Sequence, residues 1–126
     1  MMECLTFLGL RIVLGKLKTI EGFQKGKMTV YARVTKLHVQ ADQEDSVIEL
    51  YNNSVIPAAK QQKGFKGLLN LIDRESGNIM SISLWETEAD LLLSESNNYY
   101  QDQLAKFRRY MVKNPERLLY EVTAQE

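Results

Sequence analysis

Cysteine, histidine and tryptophan occur once each in this chain, at Cys4, His38 and Trp85, and proline only twice, at Pro57 and Pro115. A single cysteine rules out an internal disulfide, and a domain that does without disulfides fits a reducing, cytoplasmic compartment. One histidine with no cysteine cluster makes no metal site. There is no Ser-His-Asp set, phosphate loop or dinucleotide fingerprint. Long apolar runs are missing too. Nothing approaches the roughly 20 apolar residues that cross a bilayer. The stretch 4–14 comes nearest, but Arg11 interrupts it, and Lys16, Lys18 and Glu21 follow where a signal peptide would carry small residues. Charge of one sign is also absent. Sixteen basic residues balance sixteen acidic ones, so neither nucleic acid nor an anionic membrane is expected as a partner.

What remains is 126 residues, 44% apolar and 25% charged, which is one domain with enough chain to bury a core. The charge balance is uneven along it. Residues 1–27 hold five basic and two acidic side chains, leaving an acidic excess over residues 28–126. Gly9, Gly15, Gly22 and Gly26 break up the first segment, and no amphipathic period survives them. Residues 1–27 are therefore expected to be an extension, either mobile or the product of an overlong start, with the folded domain over residues 28–126.

From Met28 the chain turns β-branched and aromatic, which predicts a strand. Residues 42–62 read as a helix, with Asp42 as N-cap and Val47, Tyr51, Val55 and Ala58 as the core stripe. Pro57 inside it predicts a kink near Asn53. Two strands, 65–75 and 79–86, flank the turn residues Ser76, Gly77 and Asn78 and predict a hairpin. A second helical region opens at Thr87, breaks within 94–98 and resumes with Tyr100, Leu104, Phe107 and Met111 on one face. Asn114 and Pro115 are expected to stop it. Residues 118–123 alternate as a last strand. The order strand, helix, strand, strand, helix, strand predicts an α+β, ferredoxin-like βαββαβ domain, a four-stranded antiparallel sheet with two helices on one face. Apolar residues fall at both parities of the strands, and no third helix is available for the second face. A homodimer with sheets face to face is the economical way to cover it.

Four stretches resemble the antibiotic biosynthesis monooxygenase-like family: YNNSVIPAAKQQKGF (51–65), LIDRESGN (71–78), SISLWETE (81–88) and YYQDQLAKF (99–107), with YEV (120–122) beside them. The resemblance spans residues 28–126. It implies a dimeric α+β barrel with a pocket between sheet and helices in each subunit. Some members oxidise phenol- or quinol-like aromatics with O2 and neither metal nor flavin, holding and orienting the substrate in a dry cavity. Others degrade haem with a tryptophan on the third strand, an asparagine on the first and a histidine on the second helix. Here Trp85 matches the first of these. Val34 stands at the first-strand position, and residues 88–113 contain no histidine, so haem degradation is not expected.

Two readings follow, a cofactor-independent monooxygenase of a small aromatic or apolar molecule and a non-catalytic ligand-binding or regulatory dimer. His38 is the one candidate base, or else a strand-end surface residue. Val34, Ser81, Ser83, Trp85, Tyr99 and Tyr100 are the candidate substrate-binding residues. Trp85 would stack on a flat substrate or anchor the core. Ser81 and Ser83 share its strand parity and leave room beside it. Tyr99 and Tyr100 point about 100° apart on a helix, so one joins the apolar stripe and the other reaches a pocket or water. Lys106, Arg108, Arg109, Lys113 and Arg117 read as a solvated basic helix end or as a phosphate site.

Overall fold

The β-branched stretch YARVTKLH forms β1 (Tyr31–His38), and it is buried on both faces through Ala32, Arg33, Val34 and Thr35. A computed structural model of the chain describes residues 29–126. The expected extension over residues 1–27, Cys4 included, and Met28 lie outside the described residues.

β1 is central in a four-stranded antiparallel sheet of order β2-β3-β1-β4, with β2 at Phe65–Asp73, β3 at Asn78–Trp85 and β4 at Glu116–Glu121. β2 and β3 form the expected hairpin. Its turn ends on Gly77 at φ +80, where a Cβ would stand 2.9 Å from the carbonyl oxygen of Val39, so only glycine closes this turn without strain. The first helical run follows β1 as α1 (Glu44–Leu50), a π-helical segment (Tyr51–Val55) and α2 (Ile56–Ala59). Pro57 has no N–H to give Asn53, and the run widens at that place. The Ile56 N–H bonds Tyr51, five residues back rather than four. The second helical region is α3 (Glu88–Ser96), capped by the Thr87 side chain, which accepts from the Asp90 N–H at 3.1 Å, and α4 (Tyr99–Ala105). The break between them is Asn98 in the left-handed conformation at φ 75. Both helical regions pack on one face of the sheet, as the element order predicts. Leu37, Val39 and Ile79 meet Val47, Tyr51, Val55 and Phe107 there.

Three boundaries differ from expectation. Asp42 is not the N-cap. It takes a left-handed turn conformation (φ 68) that aspartate tolerates, and Gln43 occupies the cap without a side-chain bond. The second helical region does not run to Asn114. It ends at Ala105, a 3-10 turn at Arg108–Tyr110 follows, and the chain is captured by the end of β1. Gln40 N–H donates to the Tyr110 carbonyl at 2.8 Å and Val112 N–H to the His38 carbonyl at 2.7 Å. Met111 still packs on the core, but as a bridge partner of Val39 rather than as a helical residue. β4 starts and ends two residues early, because its register is set by pairing with β1 from Tyr31↔Glu121 to Lys36↔Glu116.

The face of the sheet away from the helices carries Ala32 and Val34 of β1, Met80, Ile82 and Leu84 of β3, Leu69 and Leu71 of β2, and Leu118 and Tyr120 of β4. Leu69, Leu71 and Tyr120 are about half exposed, at 56%, 48% and 52%.

Candidate functional site

Alternation along β1 sends Arg33, Thr35 and Leu37 to the helix side of the sheet. The β1–β3 register sets Ser83 beside Arg33 and Ser81 beside Thr35, and β2 adds Leu68. The π-helical segment contributes its first and last residues, Tyr51 and Val55. α4 and the turn after it supply Tyr99, Tyr100, Gln103, Leu104 and Phe107. Together these side chains line a cavity of about 50 Å³ between sheet and helices. Its lining mixes the apolar side chains of Leu37, Val55, Leu68 and Leu104 with the hydroxyls of Thr35, Tyr51, Ser81, Ser83, Tyr99 and Tyr100.

The polar groups are arranged in pairs. Thr35 Oγ1 and the Tyr100 hydroxyl lie 2.8 Å apart, and the Tyr51 hydroxyl bonds Ser81. Gln103 Oε1 accepts from Ser54 at 2.9 Å, and Ser54 in turn accepts from Lys106 at 2.7 Å. Burial pushes the Tyr51 phenol up to about 12 and raises that of Tyr99, against the pull of the Arg33 cation on Tyr99. At neutral pH these hydroxyls are protonated hydrogen-bond partners and not bases. Asn70, opposite Ser81 on β2, keeps a buried side-chain oxygen without a partner among the described residues.

One charge stands in the wall. The Arg33 side chain is only 4% exposed. Its Nη1 donates to Ser94 Oγ at 3.0 Å and to Glu95 Oε2 at 3.1 Å, and its guanidinium lies 4.0 Å from the centre of the Tyr100 ring and 5.4 Å from that of Trp85. Burial lowers the Arg33 pKa, and the Glu95 bond opposes that. Glu95 also holds Arg117 by two 2.7 Å bonds. Burial pushes the Glu95 carboxyl up, but the bonds from Arg117 and Arg33 outweigh it, and its pKa falls below the ordinary carboxylate value. Arg117 is therefore not part of a basic helix end. It sits on β4 and is tied to α3.

Of the residues singled out from the sequence, Ser81, Ser83, Tyr99 and Tyr100 line this cavity. Trp85 stands behind the wall. It is fully buried, donates Nε1–H to Ser83 Oγ at 2.9 Å and meets Phe65 edge to face at 5.7 Å. Val34 is on the opposite face, paired with Ile82 and Leu118. Its neighbours Arg33 and Thr35 reach the cavity in its place, because one step along a strand reverses the face. His38 ends β1 with Nδ1 2.7 Å from Asn78 Oδ1. It lines a separate hollow of about 390 Å³ at the end of the sheet, among the outer-face residues Lys36, Leu71 and Met80. That hollow is larger, but it lacks the buried, convergent polar groups of the inner cavity, which marks the inner one as the candidate site. Sequence reasoning passed over Arg33, Thr35, Tyr51 and Gln103. The signal for Arg33 was present, as a cation set between Ala32 and Val34 in the β-branched stretch of the central strand. Among the described residues no three His, Cys, Asp or Glu side chains group closely enough to hold a metal ion, and no helix is long and apolar enough to cross a membrane.

No family model matches the chain. The uncharacterized protein Rv2557 of Mycobacterium tuberculosis is 38% identical over 58 residues, 46% of this chain and 26% of that protein, so the match spans about a quarter of the relative's length. The solved structures it resembles include a monooxygenase from the ActVA-Orf6 gene of Streptomyces coelicolor, in complex with nanaomycin D. That structure has a TM-score of 0.65 and 12% identity, over 79% of this chain and 92% of that one. SnoaB, a cofactor-independent oxygenase from Streptomyces nogalater, gives 0.64 and 12%, over 77% and 96%. A conserved protein from Methanosarcina mazei gives 0.64 and 15%, over 77% and 96%. The chain has the α+β fold of the antibiotic biosynthesis monooxygenase-like proteins, the family its sequence resembles.

Proposed function

We propose that this chain is a small-molecule pocket protein that works as a homodimer and oxidises a phenol- or quinol-like aromatic with O2, the substrate supplying the electrons. The observation that carries the reading is the cavity itself, lined by apolar side chains and hydroxyls together, between the sheet and α4. In such chemistry the protein's part is to orient the ring and keep water out. For an anthrone the balance is simple. The ring methylene loses two hydrogens and gains one oxygen atom of O2 as a carbonyl, and the other oxygen leaves as water.

Size sets a condition. A cavity of about 150 Å³ is what it takes to hold benzene, and this one is about 50 Å³. A ring therefore enters only if the wall moves. The wall best placed to move is α4, which buries none of its seven residues and hangs on the left-handed Asn98.

The homodimer rests on the apolar outer face of the sheet, which none of the described helices covers. A second reading, a ligand-binding or regulatory dimer without catalysis, is favoured by the cavity wall, which holds no histidine and whose Tyr51 and Tyr99 phenols are kept protonated by burial. O2 uptake against a panel of quinols and anthrones, with and without chelator, separates the two. Chelator-independent uptake with one quinone formed per O2 supports oxidation. Ligand binding without uptake supports the second reading.

A further inference from the structure

We propose that Arg33 is the seat of a ligand carboxylate, so that the cavity takes acidic aromatic molecules in preference to neutral ones of the same shape. This rests on the small-molecule reading of the cavity above and adds the class of ligand.

Arg33 and Arg117 share one carboxylate, Glu95, and among the described residues no other carboxylate acts on Arg33. The sharing is unequal in an unexpected direction. Arg117, 41% exposed, takes both carboxylate oxygens at 2.7 Å, while the buried Arg33 takes a single 3.1 Å bond. A guanidinium that served structure alone would claim the two-pronged partner, because burying an under-paired charge is costly. The cluster instead keeps one positive charge in excess, located at the cavity wall.

Geometry agrees. Both of the Arg33 hydrogen bonds to described residues leave from Nη1, which frees Nε and Nη2, the edge that grips a carboxylate with two parallel bonds. Ser94, on α3, holds the guanidinium in place. Ser83, directly across from Arg33 in the β1–β3 register, already accepts from Trp85, so its own proton remains to donate to an anion. The present volume of about 50 Å³ suits a carboxylate-sized group, while the attached ring needs the α4 wall to yield.

The test is calorimetric titration of the whole protein at neutral pH with benzoate and with benzamide, which share shape and differ in charge. Benzoate is expected to bind at least tenfold more tightly. Arg33→Gln should abolish the difference, and Arg33→Lys, which keeps charge but loses the fork, should keep only part of it. Arg117→Gln should also shrink it severalfold, since Glu95 is then free to neutralise Arg33. The wild-type comparison needs no variant, so it stands even if Arg33→Gln fails to fold. Equal binding of the two probes, or a preference that survives Arg33→Gln, overturns the inference and leaves the pocket reading intact. Failure of both probes to bind at millimolar concentration overturns both. A preference for 4-nitrophenolate over 4-nitroanisole without one for benzoate over benzamide also overturns the carboxylate claim and assigns Arg33 to a ring oxygen.

Discussion

Tyr51 shows how one side chain serves core and cavity together. Its ring packs 6.0 Å from Phe107, and its hydroxyl bonds Ser81 at the cavity wall. In the unfolded chain its phenol titrates near the ordinary 10.0, and in the fold near about 12. The folded state thus binds the proton more tightly. Its contribution is fully present below pH 10 and is lost as pH rises through the folded value, an effect of roughly 2–3 kcal/mol for a shift of this size. Urea titrations between pH 9 and 12 should show stability falling more steeply in the wild type than in Tyr51→Phe. Trp85 invites a second prediction. Because it stands behind the wall, Trp85→Phe should lower stability by about 1–3 kcal/mol and leave ligand affinity within a few-fold. A melt and a titration on the same variant check it, and a large loss of affinity at unchanged stability would put Trp85 at the ligand instead. Residue identity made Ser81, Ser83 and the two tyrosines legible in the sequence. Strand parity is what misplaced Val34, since matching a family position is reliable to about a residue and a face is not.

At the scale of elements, the sequence spoke most clearly where chemistry is local. Thr87 opens a helix because its side chain can accept an N–H, and Pro57 disturbs one because it lacks an N–H. Both effects lie where the sequence placed them. Thr87→Ala should cost about 1 kcal/mol. Gly64, between α2 and β2, is a packing site that its place in the sequence does not reveal. It sits at φ +80, and a Cβ there would come within 2.2 Å of the Asp90 carboxylate. Gly64→Ala should cost about 2 kcal/mol or more, and Asp90→Ala in the same chain should recover part of that, as thermal melts would show. The end of the second helical region and the register of β4 were not legible, because both are decided by bonds to the β1 region, some 70 to 90 residues away in sequence.

The described residues form a sheet with apolar side chains on both faces and their helices on one. The inner face is filled except where polar residues leave the cavity, and the outer face presents Leu69, Leu71 and Tyr120 to solvent in a single chain. A second copy covering that face would leave the inner cavity as a site in each subunit, which is the central claim. Native mass spectrometry of the protein at micromolar concentration, with and without an aromatic acid, tests it most directly. The account predicts twice the 14.5 kDa chain mass, shifting by one ligand per chain. A single-chain mass that takes up no ligand would contradict it.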